Sequence, residues 1–132
     1  MTPYALLLGA CGLSYREAAA LHGVRLDTVQ SWSSGRRETP KAVLAELRLL
    51  HRQIERAVAE AAAMMVRQLP DTRVEIGYPA DDAEAQALGW PCVGAWRAMA
   101  GRVIAAMDRP VALVPRGSTA ASAAAMRAAG RP

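Results

Sequence analysis

The sequence predicts a mainly α chain with a small α+β part at its C-terminal end. The expected parts are an N-terminal helix-turn-helix bundle, a long connecting helix and a C-terminal dimerisation domain with a small sheet. Three observations lead there. Gly12 to Arg37 reads as two short helices around a glycine turn. Residues 41–69 run with no internal Gly or Pro, which suits one long helix. Two short segments with strand character, 73–78 and 111–115, flank an apolar helical pattern. The expected boundaries are 1–50 for the helix-turn-helix domain, 51–69 for the connecting helix, 70–115 for the α+β dimerisation domain and 116–132 for a flexible tail.

The first helix is expected over Pro3 to Ala10, with Thr2 as cap, Pro3 in the first turn and Leu6, Leu7 and Leu8 on the buried side. Ser14 and Glu17 have the S-x-x-E spacing of a capping box, in which each side chain satisfies a free N–H near the helix start. The helix they open runs to Leu21. His22-Gly23-Val24 then turns the chain, because glycine tolerates the positive φ of a tight turn. Val24 is the apolar plug just after it.

A second helix is expected from Leu26 to Ser33. Val29 and Trp32, three apart, share its inward face. The opposite face carries Leu26, Asp27, Gln30 and Ser31, and Gly35 ends the helix. In a helix-turn-helix the second helix enters the DNA major groove with its N-terminal residues on base edges. Gln30 can pair bidentately with adenine, and Asp27 can accept from the cytosine amino group. Leu26 and Ser31 complete the expected base-reading set. Arg16, Arg25, Arg36, Arg37 and Lys41 are the expected phosphate contacts, which orient a protein without reading sequence. The competing reading is a plain helical core that binds no nucleic acid. The capping box, the Gly-Val turn and the V-x-x-W-x-x-G-R-R exit, taken together, favour DNA.

Thr39-Pro40 is the next cap-and-proline start. Beyond it Leu44, Leu47, His51, Ile54, Val58, Ala61 and Met65 recur by threes and fours, the stripe of a helix packed along its length. His51 is expected as a partly buried seam histidine. Leu69-Pro70-Asp71-Thr72 breaks the helix. Val74, Ile76 and Tyr78 alternate on one face of a strand. Asp81, Asp82 and Glu84 open a short helix, where negative charge suits the N-terminus; no partner acid or nucleophile beside them suggests catalysis. Val93 to Met107 is a helix with Val93, Trp96, Ala100, Val103, Ile104 and Met107 on its apolar side. Val111 to Pro115 is a short buried strand, parallel to the first if the crossover is right-handed. The tail is flexible or a frayed helix from Thr119 to Ala129.

Composition sets bounds. A chain of 132 residues suits one or two small domains. Sixteen basic and twelve acidic residues leave a net charge of +4, compatible with a phosphate-binding face. Alanine abounds and phenylalanine is absent, so a large core lacks bulk and self-association is expected to supply burial. Tyr78, Trp90, Trp96, Val103 and Leu113 are the expected dimerisation residues. One short helix reads few base pairs, so a homodimer on an inverted repeat, with half-sites about 34 Å apart or a multiple of that, is the expected double-stranded DNA complex.

Cys11 and Cys92 form neither a metal set nor a disulfide framework and are expected reduced and partly buried. Leu8-Gly9-Ala10-Cys11 looks like a lipoprotein cleavage box, but no basic segment precedes it and the apolar run is short. No stretch has the length of a membrane span. The expectation is a cytoplasmic protein, bacterial or phage-encoded, with no cofactor and no metal. An enzyme is disfavoured: the two histidines, His22 and His51, join no Ser/His/Asp set, Cys/His pair or phosphate-cradling loop. An antitoxin-like module, whose C-terminal half binds a partner protein and for which DNA is secondary, is the alternative from another class.

The residues Leu13-Ser-x-Arg-Glu-Ala-Ala19, the Gly-Val turn and Thr28-Val-Gln-Ser-Trp-Ser-Ser-Gly-Arg-Arg37 resemble the phage-repressor (Cro/C1-type) helix-turn-helix. The V-x-I-x-Y strand, the acidic turn and Val93-Gly-Ala-Trp-Arg-Ala-Met-Ala-Gly-Arg-Val103 are similar to the C-terminal domain of YdiL-like regulators and to anti-CRISPR-associated (Aca) repressors. The likeness covers residues 1–115. It implies a homodimer that represses its own operon by binding inverted repeats in the promoter, in one setting an anti-CRISPR operon. Some members of that class also bind their own messenger RNA, so RNA is a further implied partner. Arg25 departs from the family, where Ser or Thr often caps the helix, and Ser33 stands where an acidic residue is usual.

Overall fold

Thr2 and Pro3 start the chain as their chemistry suggests. In the computed structural model, which describes residues 1–117, Thr2 is the N-cap of α1 (Pro3–Ala10), and its hydroxyl accepts from the Ala5 N–H at 3.1 Å. Pro3 gives up an N–H that a first turn leaves unpaired anyway. The buried side differs from expectation. Tyr4 and Leu8 are buried, Leu7 is half-buried, and Leu6 is 59 % exposed. The eight residues are apolar almost throughout, so their spacing cannot set a phase; packing on the helices at Leu26–Ser34 and Lys41–Val66 does.

Ser14 and Glu17 make the full capping box at the start of α2 (Tyr15–His22). Gly23 ends α2 at φ +68°, and the Val24 N–H returns to the Ala19 carbonyl at 3.0 Å. Next comes α3 (Leu26–Ser34), closed by Gly35 at φ +84°. Then α4 (Lys41–Val66) runs unbroken across residues 50 and 51, about 39 Å at the usual helical rise. Pro40 itself is its N-cap, and Thr39 supplies no cap bond. The stripe faces inward: Leu47 and Ile54 are buried, and Leu44, His51, Val58, Ala61 and Met65 are half-buried. Leu50 joins them, buried one position from His51. The helix ends three residues before Leu69. Pro70 disfavours helical backbone at the residue before it. The Arg109 guanidinium also donates to the Met65 and Leu69 carbonyls at 3.3 and 3.4 Å, covering that end.

The C-terminal half is β1 (Val74–Tyr78), α5 (Asp82–Ala87), α6 (Val93–Ala106) and β2 (Val111–Pro115). The strands pair in parallel, with Val74 opposite Val111, Ile76 opposite Leu113 and Tyr78 opposite Pro115. The acidic group caps helices. Asp81 accepts from the Glu84 N–H at 2.9 Å, and Asp82 accepts from the Val93 N–H at 2.9 Å, so it binds the start of α6. The architecture is thus mainly helical with a two-stranded parallel sheet near the C-terminal end of the described residues. The expected tail helix at 119–129 lies outside those residues.

The core is continuous from Tyr4, Val29, Leu47 and Ile54 through Trp90, Cys92, Ala95 and Trp96 to Ala100. This corrects the expected dimer surface. Trp90 and Trp96 are each 7 % exposed and Val103 is 5 % exposed, buried within the chain itself. Trp90 lies beside Leu49, Leu50 and Gln53 of α4, and Trp96 lies on the side of α6 that faces Tyr78 and Leu113 of the sheet. Tyr78 and Leu113 remain exposed. Among the described residues no helix is long and apolar enough to cross a membrane.

Candidate nucleic-acid interface

The candidate interface is the outer side of α3, and its orientation follows from what anchors the inner side. Val29 is fully buried and Trp32 nearly so. The Trp32 ring meets Tyr4 edge-on at 5.7 Å and His22 at 5.9 Å. Thr2 donates its hydroxyl to the Ser33 carbonyl at 2.9 Å, and Ser33 Oγ shares a 2.9 Å bond with the Tyr15 hydroxyl. Ser33, where the resemblance leads one to expect an acid, is therefore buried and hydrogen-bonded to α2.

With that side fixed, Leu26, Asp27 and Gln30 are exposed on α3. Ser31 is not on that face. It is 7 % exposed, its hydroxyl accepts from the Arg36 guanidinium at 3.0 Å, and its carbonyl accepts from the Arg37 N–H at 3.2 Å. The Gly35-Arg36-Arg37 exit folds back over Ser31 and covers it. Ser34, one helical turn beyond Gln30, is exposed instead. Its i, i+4 spacing from Gln30 puts it on the same face, a signal that the expected base-reading set did not use.

The cations fall into separate places. Arg25 precedes α3 without a side-chain cap bond, and its guanidinium lies 3.3 Å from Asp27, both exposed. An ion pair so exposed is weak, so both groups stay free to take other partners. Arg36 is exposed, and its guanidinium donates to Ser31 beside the end of α3. Arg37 lies in a groove with Thr2, Pro3 and Glu38, beside the start of α1. Arg16 on α2 and Lys41 at the start of α4 are exposed. Asp27 sits in the first turn of α3, where a carboxylate suits the helix dipole.

One side chain links α2 to the C-terminal half. Glu17 closes the capping box through the Ser14 N–H at 2.9 Å and also accepts from the Gly94 N–H in the first turn of α6 at 2.8 Å. Gly12 and Gly94 make this approach possible: a Cβ on Gly94 would collide with the Gly12 carbonyl oxygen and the Glu17 carboxylate. The Arg102 guanidinium adds a 2.8 Å bond to the Ala10 carbonyl. Cys92 caps α6 beside Glu17; burial first, then the neighbouring carboxylate, push its thiol up to about 11. Burial also raises Cys11, whose thiol donates to the Leu47 carbonyl at 3.6 Å. Both cysteines are free and buried, and neither belongs to a potential metal set among the described residues.

No family model and no curated protein matches the chain.

Proposed function

We propose that α2 and α3 form a helix-turn-helix and that the protein is a homodimeric, sequence-specific repressor of double-stranded DNA promoters. The observation that carries this reading is the exposed face of α3. Leu26, Asp27 and Gln30 project from a helix locked from behind by Val29 and Trp32, with Arg25 before it and Arg36 and Arg37 after it. A rigid short helix with polar reach in front and cations at both ends has the chemistry of major-groove readout. Ser31 leaves the base-reading set and acts through Arg36. Tyr78 and Leu113, exposed on the sheet, are the dimerisation residues that remain. Autoregulation of its own operon, an anti-CRISPR operon included, and binding of its own messenger RNA rest on the resemblance alone.

Fluorescence anisotropy tests the reading, with the protein titrated onto its own upstream DNA and onto scrambled DNA at two salt concentrations. Tight binding to the first alone, saturating at two chains per inverted repeat, is expected. Weak binding to both DNAs that collapses with salt would overturn it, because counterion release alone gives that pattern.

A further inference from the structure

The end of α4 remote from α1 does not close against its neighbours. Where it meets α6 and β1, the side chains leave a half-open cleft of about 230 Å³, with Met64, 61 % exposed, at its rim. Met64 and Met65 from α4, Met99 from α6 and Met107 just beyond its end line it, with Ile76 of β1 completing the wall. Four of the chain's six methionines therefore converge on one space. Among the described residues no charged side chain lines it, and Gln68 is its one polar lining residue.

A site meant only to be filled is better served by Leu, Ile or Val, whose rotamers are well defined. Methionine is unbranched and polarisable and adapts its shape to an occupant. An apolar concavity with a single polar group is the ordinary form of a small-molecule site. Burying a charge there without a partner is strongly unfavourable, so a charged ligand does not fit. Size narrows the class further. A dry cavity of roughly 150 Å³ takes benzene, which scales to about nine non-hydrogen atoms for this one.

We propose that this cavity binds a small uncharged apolar molecule carrying one hydrogen-bonding atom, which pairs with the Gln68 amide. The occupant lies between α4 and α6. Those helices also meet the α2–α3 pair: α4 through Glu46, which takes His22, and α6 through Gly94, which donates to Glu17. The site stands whether or not α3 reads DNA.

The test uses the full chain with ¹³C-labelled methionine methyls, titrated with indole and, separately, with 1-octanol. Saturable shifts at Met64, Met65, Met99 and Met107 are expected, with fully exposed Met1 unmoved. Ala61→Leu, a half-buried wall position, fills the space and should weaken both probes about tenfold or more with its melting temperature little changed. Gln68→Leu, at an exposed position, should weaken indole by about three- to tenfold and is the second check if Ala61→Leu does not fold. No saturable shift with either probe, parallel movement of Met1, or unchanged affinity in a folded variant would overturn the proposal. So would methyl shifts that follow protein concentration without ligand, because a second copy would then be the occupant.

Discussion

The Nδ1 atom of His22 lies 2.6 Å from Glu46 Oε1, and this contact joins the last turn of α2 to α4. The His22 side chain is 1 % exposed, while that of Glu46 is 45 % exposed. The ring lies 6.0 Å from Tyr4 and 5.9 Å from Trp32. His22 Nε2 has no hydrogen-bond partner among the described residues, so among them Nδ1 carries the whole polar satisfaction of a buried imidazole. Glu46→Ala should therefore destabilise the fold by about 1–3 kcal/mol. Glu46→Gln retains an oxygen and an N–H at the same reach and should cost less. Urea denaturation of the two variants separates the cases. Equal losses would show that charge, not the hydrogen bond, carries the contact.

Two glycines of α6 should respond in opposite directions to the same change. Gly94→Ala places a methyl group against the Gly12 carbonyl and 2.5 Å from Glu17 Oε1. Neither the backbone carbonyl nor a carboxylate held by two N–H bonds can yield without loss. A penalty of about 2 kcal/mol or more is expected. Gly101→Ala meets nothing within 4 Å among the described residues, in mid-helix, and should stabilise by about 0.5–1 kcal/mol, because alanine restricts the unfolded chain and favours helix. Thermal melts decide both signs, and a stabilised Gly94→Ala would mean that α6 is not held against α2 at this point.

Glu17 predicts the acid limb of stability. Partial burial is the largest influence on it and raises its pKa. The N–H groups of Ser14 and Gly94, the Cys92 thiol and the Ser14 hydroxyl together outweigh burial and hold the carboxyl below its ordinary value. A carboxylate whose pKa is lower in the folded chain contributes fully above the unfolded value, about 4.3. That contribution fades as pH falls through this value and is lost as it passes the folded one. The wild-type urea midpoint should thus drop below about pH 4.3. Glu17→Gln should be less stable at pH 7 and show a shallower acid decline. Parallel pH curves for the two proteins would assign the acid limb to other carboxylates.

How much of this was legible in the sequence depended on whether a local rule decided each position. The Ser14–Glu17 box, the positive φ at Gly23 and Gly35, the long α4 stripe and the parallel strands all follow from local chemistry or from periodicity over many residues. Leu6 was misplaced and Tyr4 was missed because an all-apolar helix of eight residues has no phase of its own. Ser31 was placed on the outer face because it stands four residues after Asp27, on the same helical side; the Arg36–Arg37 exit that buries it is a tertiary event. Trp90, Trp96 and Val103 looked like interface residues because their apolar pattern does not say whether the partner is another chain or the rest of their own. The Glu17–Gly94 bond joins positions 77 apart, and no spacing rule reaches that far.

The corrected place of Ser31 changes what a substitution series on α3 should show. Gln30 projects freely, so Gln30→Ala should lose about 1–3 kcal/mol on the specific DNA site and little on random DNA. Ser31→Ala removes no outward group; it removes the acceptor that steadies Arg36 at 3.0 Å. Its effect should match a weaker Arg36→Ala: a similar loss on operator and on random DNA, with a shallower dependence on salt as one phosphate contact is lost or blurred. Combining Ser31→Ala with Arg36→Ala should add almost nothing to Arg36→Ala alone, since both act through one guanidinium. Anisotropy titrations of the four variants and wild type at two salt concentrations resolve these patterns. A site-specific loss for Ser31→Ala, additive with Arg36→Ala, would return Ser31 to the base-reading face and mean that the Arg36 exit opens when DNA binds.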